Sequence, residues 1–158
     1  MNLEARLMQD LKVAMKEGNK IDKNTIQQVR AVILLAKKEK GNLTERDIED
    51  IILREKNKRT EAIVQFQRGN RPDLVEQTNK EMLCLSRYLP QPMSEYEVNE
   101  AVKKIIEDEN VTDKRLLGYV IKKSKEQFGN RANGKLISDT VKRILEELWF
   151  QKILKQQL

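Results

Sequence analysis

The chain has 158 residues, with 31 Lys or Arg against 25 Asp or Glu, a net charge of +6, one cysteine and no histidine. Without histidine there is no Ser-His-Asp or Cys-His relay and no histidine-held metal, and Cys84 alone forms no internal disulfide. Charged residues at 35%, aromatics at 4% and few Gly or Pro favour amphipathic helices.

No window approaches the roughly 18 consecutive apolar residues of a membrane span. The first residues, with Glu4 and Asp10 among apolar ones, read as neither a signal nor a transit peptide. These features predict a cytoplasmic protein with no membrane partner, metal or cofactor. Carboxylate or lysine catalysis is open in principle, but no spacing singles out a catalytic residue.

Leu3, Leu7, Leu11, Ala14 and Met15 recur at three- and four-residue intervals, which predicts a first helix over 2–17 ended by Gly18 and Asn19. A second helix is expected from Lys23 to Lys40, its stripe Ile26, Val29, Ile33 and Ala36 widened by Val32 and Leu35. Thr44 caps the third, with Asp47 where a capping box carries Glu or Gln. Its apolar positions, Ile48, Ile51, Ile52, Ala62, Ile63 and Phe66, bracket the charged run Arg54 to Arg59. Extending the stripe through that run puts Glu55 and Arg59 inward and four residues apart, where they can pair. Either they form a structural ion pair or locally solvated stretch, or they join Arg30 in a polar cluster that binds an anion or carboxylate.

Gly69 to Pro72 form a turn, and Asp73 with Glu76 is an acidic cap for a fourth helix lined by Leu74, Thr78, Met82, Leu85 and Leu89. In that pattern Cys84 reads as a small buried hydrophobe. Pro90 and Pro92 stop the helix, and Ser94 with Glu97 restarts one at once. This gives an all-α protein of a four-helix N-terminal domain, 1–92, and a three-helix domain, 93–148, with a helical extension, 149–158.

In the second domain Val98, Ala101, Val102 and Ile105 line the fifth helix. Thr112 or Asp113 caps the sixth, which carries Leu116, Leu117, Val120 and Ile121 down to Phe128. Gly118 within it implies a tight helix crossing or an exposed approach surface. Asn133 starts the last helix, whose Ile137, Val141, Ile144, Leu145 and Leu148 face inward. Beyond it, Trp149, Phe150, Ile153, Leu154 and Leu158 either pack back on the core or form an apolar partner-binding tail.

Charge is uneven along this second half. From Ser94 to Asp113 seven acids face two lysines, a net −5, whereas from Lys114 to Arg143 nine Lys or Arg face Glu126 and Asp139, a net +7.

Five segments together resemble the GatB/YqeY family: LREKNKRTEAIVQF from Leu53, GNRPDLV from Gly69, YLPQPMSEYEV from Tyr88, LLGYVI around Gly118, and GNRANGKLI from Gly129. Leu117 and Tyr119 flank the helix glycine where the family usually has methionine and a basic residue. Asn130 is inserted in the turn, and Asn133 stands where Asp is common. The resemblance implies an all-helical protein whose second domain is similar to the tail domain of the tRNA-dependent amidotransferase B subunit. That tail contacts tRNA while catalysis resides elsewhere, so a family label of carbon-nitrogen ligase with glutamine as amido donor follows the parent enzyme.

Two functions follow as expectations. The first is a non-catalytic tRNA-binding or amidotransferase-related accessory protein, contacting phosphate through Lys122, Lys125 and Arg131, with Lys123, Lys135 and Lys142 behind them. Gly118 and Gly129 would allow close backbone approach, and no specificity for DNA is expected. The second is an adaptor that docks a translation or amidotransferase partner through the acidic helix and the apolar tail.

Overall fold

The computed structural model describes residues 1–157, and among them all regular structure is helical, as the composition implies. The helices are α1 (Leu3–Glu17), α2 (Lys20–Lys40), α3 (Glu45–Arg68), α4 (Pro72–Ser86), α5 (Glu95–Asp108), α6 (Leu117–Phe128) and α7 (Gly134–Gln156), with 3-10 turns at Lys114–Leu116 and Gly129–Arg131. The chain forms two compact units, one from Met1 to Pro90 and one from Gln91 on.

Helix starts follow local chemistry. Asn2 and Asn19 accept from the backbone N–H groups of Ala5 and Asp22, at 2.8 and 3.1 Å. The Asn19 cap therefore starts α2 at Lys20, three residues before the sequence-based expectation. Thr44 with Asp47 and Ser94 with Glu97 both form full capping boxes. The acidic cap expected for α4 is not formed. Arg71 is its N-cap residue without a side-chain capping bond, Pro72 opens the helix, and Asp73 turns back to accept from Arg71 at 3.0 and 3.1 Å. Proline at the first position needs no amide acceptor, which lessens the demand for a cap.

In the first unit Leu3, Leu7 and Leu11 of α1 pack with Ile26, Val29 and Ile33 of α2, Ile48, Ile51 and Ile52 of α3, and Cys84, Leu85 and Tyr88 around the end of α4. Leu35 is 59% exposed: at 100° per residue it lies opposite the line through Ile26 and Ile33 and does not widen their stripe. Met15 is likewise exposed, in the last turn before Gly18.

The core of the second unit joins Val98, Val102, Ile105 and Ile106 of α5, Val111, Val120 and Phe128, and Ile137, Val141, Ile144 and Leu145 of α7. Leu116 closes the 3-10 turn and stays exposed. Leu148 lies on the core side of α7 yet is 43% exposed, because the helix has passed the end of that core. The helix then runs through Trp149 without a break, and Phe150, 57% exposed, is not packed on the core.

Candidate nucleic-acid interface

Gly118, Lys122, Lys125 and Gly129 recur at four-, three- and four-residue steps, so they form one stripe along α6 and its C-cap. Gly118 is the second residue of α6, and a Cβ there would meet nothing within 4 Å, which rules out the tight crossing considered above and leaves an open backbone surface. Gly129 has φ 57° and ψ −132°, a combination that favours glycine. It turns the chain into Gly129–Arg131, and Asn133 then caps α7 by accepting from the N–H of Leu136 at 2.7 Å.

Five of the nine cations between Lys114 and Arg143 are held within the unit. Lys114 sits 3.8 Å from the Trp149 ring centroid. Arg115 pairs with Asp113 at 2.8 Å, Lys123 with Glu109 at 4.0 Å, Arg131 with Glu97 at 3.9 Å and Arg143 with Glu147 at 3.6 Å. Arg131 is tied further: its Nε donates to the Gln91 carbonyl at 3.2 Å, and its own carbonyl accepts from the Met93 N–H at 2.7 Å. Among the described residues no carboxylate lies within 4.0 Å of Lys122, Lys125, Lys135 or Lys142. Those four are exposed and present uncompensated charge.

Two of them crowd the start of α7. Lys135 is in its first turn, and a Cβ on Gly134 would lie 3.6 Å from Cε and 3.7 Å from Nζ of Lys125. Cations at the positive end of a helix are unfavourable until an anion joins them. Tyr119 donates to Glu109 at 2.8 Å, and this bond pushes its phenol pKa up.

The second polar cluster lies in the first unit and differs from expectation in its membership. Glu55 and Arg59 are buried, at 8% and 9% exposure. Arg59 Nη1 donates to the Glu55 carbonyl at 2.9 Å and to its Oε2 at 3.3 Å, Nη2 donates to Gln28 Oε1 at 2.6 Å, and Nε is 3.8 Å from Glu81 Oε1. Arg30 instead lines a groove with Glu4, Gln27 and Lys37. Two carboxylates of the chain, Glu55 and Glu81, thus face Arg59 in an ion-pair network. Glu81 has a sequence signal in retrospect: it lies at helical spacing between the buried Thr78 and Leu85. Gln28 has none.

Among the described residues no group of acidic, histidine or cysteine side chains is arranged to hold a metal, and no helix is long and apolar enough to cross a membrane. A groove beside α7 is lined by Ile106, Val111, Ile144 and Leu148, with Lys103 and Glu107 at its rim.

The Yqey-like protein family has a sequence model that matches residues 4–145. The chain is also 31% identical over 130 residues to a protein of Pyrenophora tritici-repentis (strain Pt-1C-BFP) called "Altered inheritance of mitochondria protein 41, mitochondrial", a match that spans 80% of this chain and 71% of that protein. The chain belongs to the Yqey-like protein family.

Proposed function

We propose that the second unit binds tRNA through the exposed face of α6 and the start of α7, and that the chain acts as a non-catalytic accessory of tRNA-linked chemistry. The observation that carries this reading is the set of four lysines, Lys122, Lys125, Lys135 and Lys142, left without carboxylate partners in the stretch where Arg115, Lys123, Arg131 and Arg143 are paired. Unpaired cations are the ones that displace counterions from phosphate on binding. The sequence resemblance of this half to an amidotransferase tail domain suits the same partner. Sequence-specific base reading has little support, since Tyr119 is the one exposed aromatic on α6 and Phe128 is buried.

The test is titration of the full chain against a bulk tRNA pool from low to moderate salt, beside the variant K122A/K125A/K135A/K142A. Log-linear weakening with salt is expected, with the slope reduced by about three in the variant, from roughly 0.7–0.9 per lost phosphate contact. No binding at low salt, or an unchanged slope, overturns the reading. The Pyrenophora relative carries a mitochondrial designation in its name. A tRNA-binding role suits that compartment as well as the cytoplasm, because both translate.

A second reading, the adaptor, rests on the apolar groove beside α7 and on exposed Phe150 and Leu154. It predicts that F150S/L154S keeps the fold and loses capture of a translation or amidotransferase protein. Glutamine-dependent release of ammonia by the pure chain would instead establish an enzyme.

A further inference from the structure

The two nominated cations that are not free, Lys123 and Arg131, are held by carboxylates at the two ends of one helix. Glu97 is in the first turn of α5 and Glu109 is its C-cap residue. They stand twelve residues apart, roughly 18 Å along the axis at 1.5 Å per residue. Glu97 reaches Arg131 at 3.9 Å, and Glu109 reaches Lys123 at 4.0 Å.

Neither arrangement is explained by helix stability alone. Glu109 follows Glu107 and Asp108 at the negative end of α5, where the last turn carries no basic residue and a carboxylate is unfavourable. It is nonetheless fixed there, because the Tyr119 hydroxyl donates to its Oε2 at 2.8 Å while Lys123 Nζ lies 5.8 Å from the Tyr119 ring centroid. Glu97 serves the Ser94 capping box, yet its other oxygen faces Arg131.

We infer that Glu97 and Glu109 are built-in competitors of phosphate, holding Arg131 and Lys123 so that the resting surface offers four cations and can enlarge to six. The inference rests on the tRNA-binding reading and adds its regulation. Both ion pairs are solvent-exposed and individually weak, so neutralising one carboxylate is enough to free its cation for phosphate. A partner or modification that neutralises the acidic helix would strengthen binding.

The experiment is the same salt titration with bulk tRNA, using full chains carrying E97Q, E109Q, both together, and E61Q. Glutamine at position 97 keeps a capping-box side chain. Glu61, an exposed residue of α3 that holds no cation within ion-pair distance, controls for net charge. Each of E97Q and E109Q is expected to tighten low-salt binding by about two- to fivefold and to steepen the slope by roughly 0.7–0.9, the two effects adding in the double variant. Y119F, which releases Glu109 without changing charge, should reproduce part of the E109Q effect.

If the wild type binds and loses binding on removal of the four lysines, yet E97Q and E109Q leave the slope unchanged or merely match E61Q, the inference is overturned and the binding reading stands. If the wild type does not bind, both fall.

Discussion

Arg59 and Glu55, one turn apart on α3, face each other inside the first unit with Nη1 3.3 Å from Oε2 and 2.9 Å from the carbonyl of the same residue. Gln28 and Glu81 bring α2 and α4 to the same guanidinium. Removing Arg59 would take away the cation that Glu55 and Glu81 share and leave Glu55 with Lys58, whose Nζ lies 3.3 Å from its Oε1, so R59A should cost about 3–5 kcal/mol. Replacing Glu55, Arg59 and Glu81 together by Leu, Met and Leu should cost far less, since no charge is then stranded. Urea unfolding of both proteins measures this. A mild R59A would mean that water reaches the cluster.

How much of this was legible in the sequence depends on distance along the chain. The Thr44–Asp47 and Ser94–Glu97 boxes and the Asn133 cap each span three residues, and their donors and acceptors meet whenever a helix starts there. The inward direction of Glu55 and Arg59 is legible too, because a 3.6-residue period carries through the charged run. Their partners Gln28 and Glu81 come from other helices, and no periodicity within α3 names them. The same holds at the candidate interface. Lys122 and Lys125 share a stripe by spacing alone, whereas the pairing of Arg131 with Gln91 and Glu97, 40 and 34 residues away, depends on how the unit folds. Charge counting ranked Arg131 among the leading contacts and could not see that it is already engaged.

Gly118 gives a test in which stability and binding separate. No atom would obstruct a Cβ at this site, so G118A should stabilise the protein by about 0.4–1 kcal/mol through a less flexible unfolded chain. Thermal unfolding should show a Tm a few degrees higher. If RNA approaches the α6 backbone closely, the same variant binds tRNA more weakly despite its greater stability. Unaltered binding would confine the contacts to lysine side chains.

The Tyr88 hydroxyl donates to Asp10, and burial together with that carboxylate pushes its pKa well above the ordinary tyrosine value near 10. A raised folded-state pKa means that the native protein keeps a proton which the unfolded chain releases. Stability from this group is therefore complete below about pH 10 and declines as pH rises from there toward the raised value. Burial pushes the Cys84 thiol up as well, adding loss of the same sign at somewhat lower pH. Denaturant titrations from pH 8 to 11 should show a shallower decline in Y88F than in wild type. Parallel curves would mean that Tyr88 ionises as readily folded as unfolded.

The end of α7 makes the last prediction, because it separates an apolar residue that holds the fold from apolar residues that do not. Ile144 is buried in the second core while Phe150 and Leu154, further along the same helix, are exposed. I144A should therefore cost about 2–5 kcal/mol, whereas L154S should stay within roughly 0.5 kcal/mol of wild type, as surface changes do. Trp149, the one tryptophan of the chain, reports on the same segment. Lying half-exposed with Lys114 over its ring, it should be quenched readily by acrylamide, and K114A should increase that quenching. A shielded Trp149 in the isolated protein, together with a large loss of stability in L154S, would mean that the tail is covered in solution by apolar surface of this chain or of another copy. The adaptor reading would then lose the exposed surface on which it depends, and the tRNA-binding reading, which uses the exposed lysines of α6 and the start of α7, would be unaffected.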